Sequence, residues 1–127
     1  MKLSFRPLTE DEVQFTVKVE EETDCPVKGS FASGDDDIDA QTEKEILDRL
    51  RRGDSYAWCC VIVEATWEGY RAFDSLGGCC LTGEDEVEST VIDHCMRENA
   101  LDCLNKNIQS ILDNISKRCE VSGCLTN

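Results

Sequence analysis

Between Glu12 and Glu20 the chain alternates strictly, with Val13, Phe15, Val17 and Val19 on one side and Gln14, Thr16, Lys18 and Glu20 on the other. Period two over that length predicts a half-buried strand. A short strand over 2–5, stopped at Pro7, is expected to pair with it as a first hairpin. Residues 20–39 then mix charge with Pro26, Gly29 and Gly34. Apart from a possible strand extension over 27–31, they read as a loop. A helix is expected to start after Asp39 as N-cap and to run over 40–52, with Ile46, Leu47 and Leu50 on one side. Its charges suit the helix dipole, Glu43 and Glu45 lying early and Arg49, Arg51 and Arg52 late. Gly53 closes it.

A second strand-rich stretch, "AWCCVIVEATWEGYRAFDSLGGCC", occupies 57–80. Residues 57–67 and 70–74 form its strands, and Glu68–Gly69 form a tight turn, because glycine readily takes positive φ. "SLGG" at 75–78 should end the pattern in a sharp bend or a close backbone approach. From Thr82 the period becomes helical, with Thr82 and Asp85 spaced as a capping box. Val87, Val91 and Cys95 share one stripe, while Leu101, Leu104, Ile108, Ile111 and Ile115 share another, out of phase with the first. A kink near 97–99, with Asn99 capping the second half, accounts for the slip.

These elements predict an α+β fold in one domain, 1–127. An antiparallel sheet of about four strands in two hairpins carries one short and one long, kinked helix on one face. Val13, Phe15, Val17, Val19, Ile46, Leu50, Val61, Val63, Leu104, Ile108 and Ile111 are expected to share the core, with residues 118–127 as a frayed tail. If the sheet covers the last apolar stripe the protein is a monomer, the expected state; otherwise the stripe is a dimer seam.

Charge changes the functional picture. The chain has 127 residues, of which 27 are acidic and 13 basic, for a net charge of −14. Residues 1–54 carry 15 acidic and 8 basic side chains, and 55–127 carry 12 and 5, so each part contributes −7. The acidity is therefore not a tail. Such a surface repels phosphate backbones, which argues against direct nucleic-acid binding, and it attracts basic proteins. Solubility alone is the plainer explanation of the same charge. No apolar leader opens the sequence and no run approaches a membrane span, so a cytoplasmic protein with reduced cysteines is expected.

Nine cysteines include the pairs Cys59–Cys60 and Cys79–Cys80. Neighbours on a strand point to opposite faces, so neither pair chelates one ion as C-x-x-C does. A cluster drawing one cysteine from each pair, with His94 or Cys95, is conceivable but carries no spacing signature; small buried hydrophobes are the simpler reading. His94, the only histidine, is expected within a helix between Asp93 and Cys95, neither of which would face it. No catalytic triad, P-loop, GxGxxG or GxSxG pattern is present. "GDDDID" at 34–39 comes nearest to a calcium loop but lacks the full ligand pattern and reads as a solvated acidic loop. No catalytic residue, metal or cofactor is assigned, and an enzymatic or metal-binding domain ranks third among the functional classes.

Tyr56, Trp58, Trp67, Tyr70 and Phe73 lie close together in sequence. Buried, they are ordinary core. Exposed beside Glu64, Glu68 and Asp74, they would suit a protein partner. The segment 53–79 resembles small bacteriophage and prophage proteins that share W-x-W-C-x-V-x-V-x-A-x-W, a glycine turn and D-x-L-G-G-C. Trp58, Cys59, Val61, Val63, Ala65, Trp67, Gly69, Asp74, Leu76, Gly77, Gly78 and Cys79 carry the likeness, with Tyr56 replacing the first aromatic. The resemblance implies a phage or mobile-element origin and attaches no activity.

With size and acidity, it points to the class of anti-CRISPR or anti-restriction inhibitors, whose carboxylates imitate DNA phosphates. The expected partner is a basic, nucleic-acid-binding host complex. Candidate contacts are Glu20, Glu21, Glu22, Asp35, Asp36, Asp37, Glu84, Asp85, Glu86 and Glu88, in runs that a small core does not bury. A phage accessory protein that binds through the aromatic hairpin is the alternative.

The cysteine reading has a direct check. Thiol titration in denaturant should count nine free thiols, and elemental analysis of protein prepared without chelator should find no stoichiometric metal. One zinc per chain overturns it.

Overall fold

The computed structural model describes residues 5–122, with side chains described through Cys119. The architecture is α+β. Three strands, β1 (Gln14–Glu21), β2 (Cys59–Trp67) and β3 (Tyr70–Cys79), form an antiparallel sheet in the order β1-β2-β3. Three helices accompany it: α1 (Asp36–Arg51), α2 (Asp85–Asp93) and α3 (Met96–Ser122). Short 3₁₀ turns at Glu10–Glu12 and Ser55–Ala57 lead into β1 and β2. Only the β2–β3 hairpin appears among the described residues. Positions 27–31 form no strand, and most of the expected strand over 2–5 lies outside the described residues.

The hairpin register follows from its two-residue turn. Glu68 and Gly69 have φ of 48° and 84°, the paired left-handed conformation that matches strand twist. Trp67 then stands opposite Tyr70, and their rings stack at 6.3 Å with 20° between planes. Along β2, Cys59, Val61, Val63 and Ala65 are buried in alternation. β3 continues through "SLGG" instead of ending there. Its inward positions run 72, 74, 76 and 78, and then Cys79 is buried directly after Gly78. The alternation slips by one where Gly78 takes φ +63°, and Cys79 turns inward while Cys80 is left exposed.

The helix boundaries differ from expectation for local reasons. α1 begins four residues earlier than expected, because Asp35 caps it by accepting from the Asp37 and Ile38 amides at 3.0 and 3.3 Å. Asp39 instead accepts from the Ser33 amide at 3.2 Å. "GDDDID" is thus a helix start whose Asp36, Asp37 and Asp39 lie in the favourable first turn, not a loop. The expected kink at 97–99 is a full break at His94–Cys95, where Cys95 adopts φ +51°; two helices replace one bent helix. His94 is accordingly the end cap of α2. α3 runs to Ser122, beyond Lys117, and residues 123–127 lie outside the described residues.

The chain divides into two compact units. One comprises 1–16, 64–74 and 97–127; the other comprises 17–63 and 75–96, so every strand contributes residues to both. In the first, Leu8, Ala65, Ala72, Ala100, Leu104 and Ile108 are buried. Asn105 fixes the entering chain there, its side chain accepting from the Leu8 amide at 2.8 Å and donating to the Leu8 carbonyl at 3.1 Å. Ile111, expected in the core, is exposed, as is Ile115, so the α3 stripe is only partly covered by described residues.

In the second unit, Val61, Val63, Val87, Val91 and Met96 are buried, and Val27, Ile46, Ala57 and Trp58 form a further cluster completed by Cys25, Phe31 and Leu50. Val13, Phe15, Val17, Val19 and Leu50 are half-buried rather than core, and for the four on or beside β1 this is what an edge strand allows.

Gly78→Ala should destabilise the protein by roughly 1 kcal/mol or more, because the position needs positive φ and an added Cβ would meet the Trp58 ring at 3.4 Å. Leu104→Ala should cost about 2–5 kcal/mol, as for a fully buried leucine. Denaturant unfolding checks both; a neutral Gly78→Ala would show that this backbone geometry is not needed.

Candidate functional site

The second unit concentrates the charge. Its residues, 17–63 and 75–96, hold 17 acidic and 6 basic side chains, a net −11. The remaining residues hold 10 and 7, a net −3. The even split between the two parts of the sequence conceals this, because folding interleaves the segments. All ten carboxylates in the candidate runs belong to the −11 unit, whereas Glu64, Glu68 and Asp74 belong to the other.

The ten differ in what their side chains already do. Glu22 accepts from three backbone amides: Gly78 at 2.9 Å, and Asp24 and Cys25 each at 3.0 Å. The Gly78 and Cys25 bonds hold its carboxyl below the ordinary glutamate range against a smaller opposing effect of burial. Asp35 is committed to the α1 cap. Glu86 accepts from the Thr82 hydroxyl and from the Thr82 amide at 2.5 Å, which lowers its pKa. Thr82 therefore pairs with Glu86 and not with Asp85. Glu20, Glu21, Asp36, Asp37, Glu84, Asp85 and Glu88 are exposed. They sit at the end of β1 and in the first turns of α1 and α2.

Two of these regions meet. Val17, Lys18 and Val19 of β1, Tyr56 before β2, and Glu84, Val87 and Glu88 at the start of α2 line a cavity of about 360 Å³. Sequence reasoning missed it. Alternation placed Val17 and Val19 on the inner face, but nothing in the pattern said that α2 would lie beside β1.

Trp58 anchors the long β1–α1 connection. It is buried; its Nε1–H donates to the Cys25 carbonyl at 2.7 Å, and its ring meets Phe31 at 5.8 Å. Arg49, near the end of α1, ties that helix to the residues before β2 and after β3, through Asp54 at 2.8 Å and the Leu81 carbonyl at 2.5 Å.

The aromatic hairpin does not present a free acidic rim. Glu64 binds the Arg71 guanidinium at 2.5 and 3.0 Å, and Arg71 also lies 5.5 Å from the Phe73 ring centroid. Asp74 accepts from the Asn99 side chain at 3.2 Å. Glu68 is a turn residue. Tyr70 and Phe73 remain 42% and 47% exposed.

Cys59, Cys60 and Cys79 are poorly set for thiolate chemistry. Burial, reinforced by Cys79, Cys60, Cys80 and Glu22, pushes the Cys59 thiol up to about 11. Burial raises Cys60 and Cys79 as well. Nucleophiles and metal ligands need the thiolate, which these environments disfavour at neutral pH. Among the described residues, no group of three or more His, Cys, Asp or Glu is placed to hold a metal ion. No described helix is long and apolar enough to cross a membrane. No family model matches the chain, and neither the curated proteins nor the solved structures contain a match.

Glu22 generates a pH prediction. Its folded pKa lies below the ordinary value of 4.5, so its stabilisation is present above that value and is lost as pH falls through the lowered one. Glu22→Gln should unfold at a lower denaturant midpoint than the parent at neutral pH, and the gap should narrow below pH 4.5. A gap constant across pH would remove the carboxylate from the account.

Proposed function

We propose that this chain is a small acidic binding protein of phage or mobile-element type, which acts in the host cytoplasm without catalysis. It inhibits a nucleic-acid-binding host defence complex, anti-CRISPR-like or anti-restriction in class, by stoichiometric charge-complementary binding. The observation that carries the reading is the −11 charge gathered in one compact unit. Seven exposed carboxylates, Glu20, Glu21, Asp36, Asp37, Glu84, Asp85 and Glu88, stand there on regular elements. The backbone of β1 and of the starts of α1 and α2 needs no ordering on binding, and the carboxylates it carries meet lysines and arginines that otherwise hold phosphates. Glu22, Asp35 and Glu86 serve the fold and leave the interface set.

A second reading, a phage accessory protein that binds through the aromatic hairpin, is favoured by the exposure of Tyr70 and Phe73. Salt separates the two, since exposed charge pairs are screened and apolar contacts are not.

The test is capture of partners from host lysate at low and moderate salt, followed by competition with duplex DNA. The captured protein should be basic, should release as salt rises, and should exchange DNA for this chain at a fixed ratio. Neutralising Asp36, Asp37, Glu84 and Asp85 to their amides should weaken capture about tenfold or more without unfolding the chain. Asp35 is left unchanged because its side chain already caps α1. Capture that ignores salt and these substitutions but is lost in Phe73→Ala transfers the function to the hairpin.

A further inference from the structure

The cavity beside β1 has three properties that belong together. First, β1 is an edge strand, and among the described residues no strand pairs with its outer side. Second, Val17, Lys18 and Val19 all line the cavity although their side chains alternate between faces. The wall they form therefore includes β1 main chain as well as the two valine side chains. Third, the lining mixes apolar and acidic groups: half-buried Val17 and Val19 and buried Val87 stand with exposed Glu84 and Glu88 around it, Lys18 and Tyr56 complete it, and exposed Glu20 and Glu21 follow along the strand.

An open backbone edge takes an extended chain. Valines set beside carboxylates suit a long cationic side chain, whose methylene stem packs on the valines while its head reaches the acids. We propose that an extended basic segment of the partner adds along β1 as a further strand and places a lysine or arginine in this cavity. The inference rests on the reading of the partner as basic and names the place where it docks.

A second copy of the chain is a poor occupant. Each copy carries −14, and an antiparallel pair centred on Lys18 sets that lysine against itself. Lys18 in mid-strand, with its amine 3.7 Å from Glu20, is the kind of charge that guards an edge against self-pairing.

The probe is an eight-residue peptide of alternating lysine and valine, compared with the same peptide N-methylated on alternate residues along one edge. Binding is followed by fluorescence anisotropy at several salt concentrations, and the site by amide exchange of the full chain. The unmodified peptide should bind more weakly as salt rises and should protect β1 amides that exchange freely without it. N-methylation on the bonding edge should weaken binding about tenfold, as should Glu84→Lys. A peptide with glutamate in place of lysine should recover binding to Glu84→Lys.

Salt-dependent binding that spares the β1 amides, or that tolerates N-methylation on either edge, overturns the docking site while leaving the basic-partner reading in place. No binding to lysine peptides or to any basic host protein overturns both. β1 amides already protected in the free protein show the edge filled from within the chain and overturn the docking site alone.

Discussion

Trp58 holds the acidic unit together. Its carbonyl accepts from the Glu22 amide at 3.3 Å, its indole donates to the Cys25 carbonyl, and its ring lies against Gly78 and Phe31. The Glu22 carboxylate closes the same knot from the other side by gathering the amides of Asp24, Cys25 and Gly78. One indole and one carboxylate thus tie the start of β2, the end of β3 and the first residues of a long connection. Further on, the connection is held to α1 by Val27, packed in one cluster with Ile46, and by the Gly29 amide, which donates to Glu43 at 3.0 Å.

The same knot explains the double glycine. A Cβ on Gly77 would lie 2.6 Å from a Glu22 carboxylate oxygen, and one on Gly78 would meet the Trp58 ring. Most residues of the W-C-x-V-x-V-x-A-x-W and D-x-L-G-G-C pattern have such structural duties. Cys59, Val61, Val63 and Ala65 fill the buried side of β2, and Gly69 completes the turn. Asp74 receives Asn99. The pattern therefore describes a scaffold, and the residues that suit a partner lie mostly outside it, on β1, α1 and α2.

Alternation in 12–20 and 57–67 made β1 and β2 legible, and the glycine after Glu68 made the turn legible, because each signal is local and its period unambiguous. The start of α1 was not, since four aspartates within five residues offer competing caps and only the hydrogen bonds choose Asp35. The break at His94–Cys95 was hidden because cysteine is an uncommon residue at positive φ. The candidate carboxylates were visible as runs of charge. Their sorting into structural and exposed groups was not, because it depends on amides far away in sequence, Glu22 finding Gly78 fifty-six residues on. The concentration of charge was also invisible, since it arises from which segments fold together.

The Glu22 clamp has a consequence for how the protein's electrostatics can be probed. Acid neutralises the surface carboxylates and then, as pH falls further, the clamp, so a loss of binding on strong acidification mixes weaker attraction with a loosened scaffold. Added electrolyte acts differently, because ions weaken long-range attraction across solvent while leaving bonds of 2.9–3.0 Å to backbone amides largely untouched. Ionic strength at constant neutral pH is therefore the variable that separates recognition from folding in this molecule.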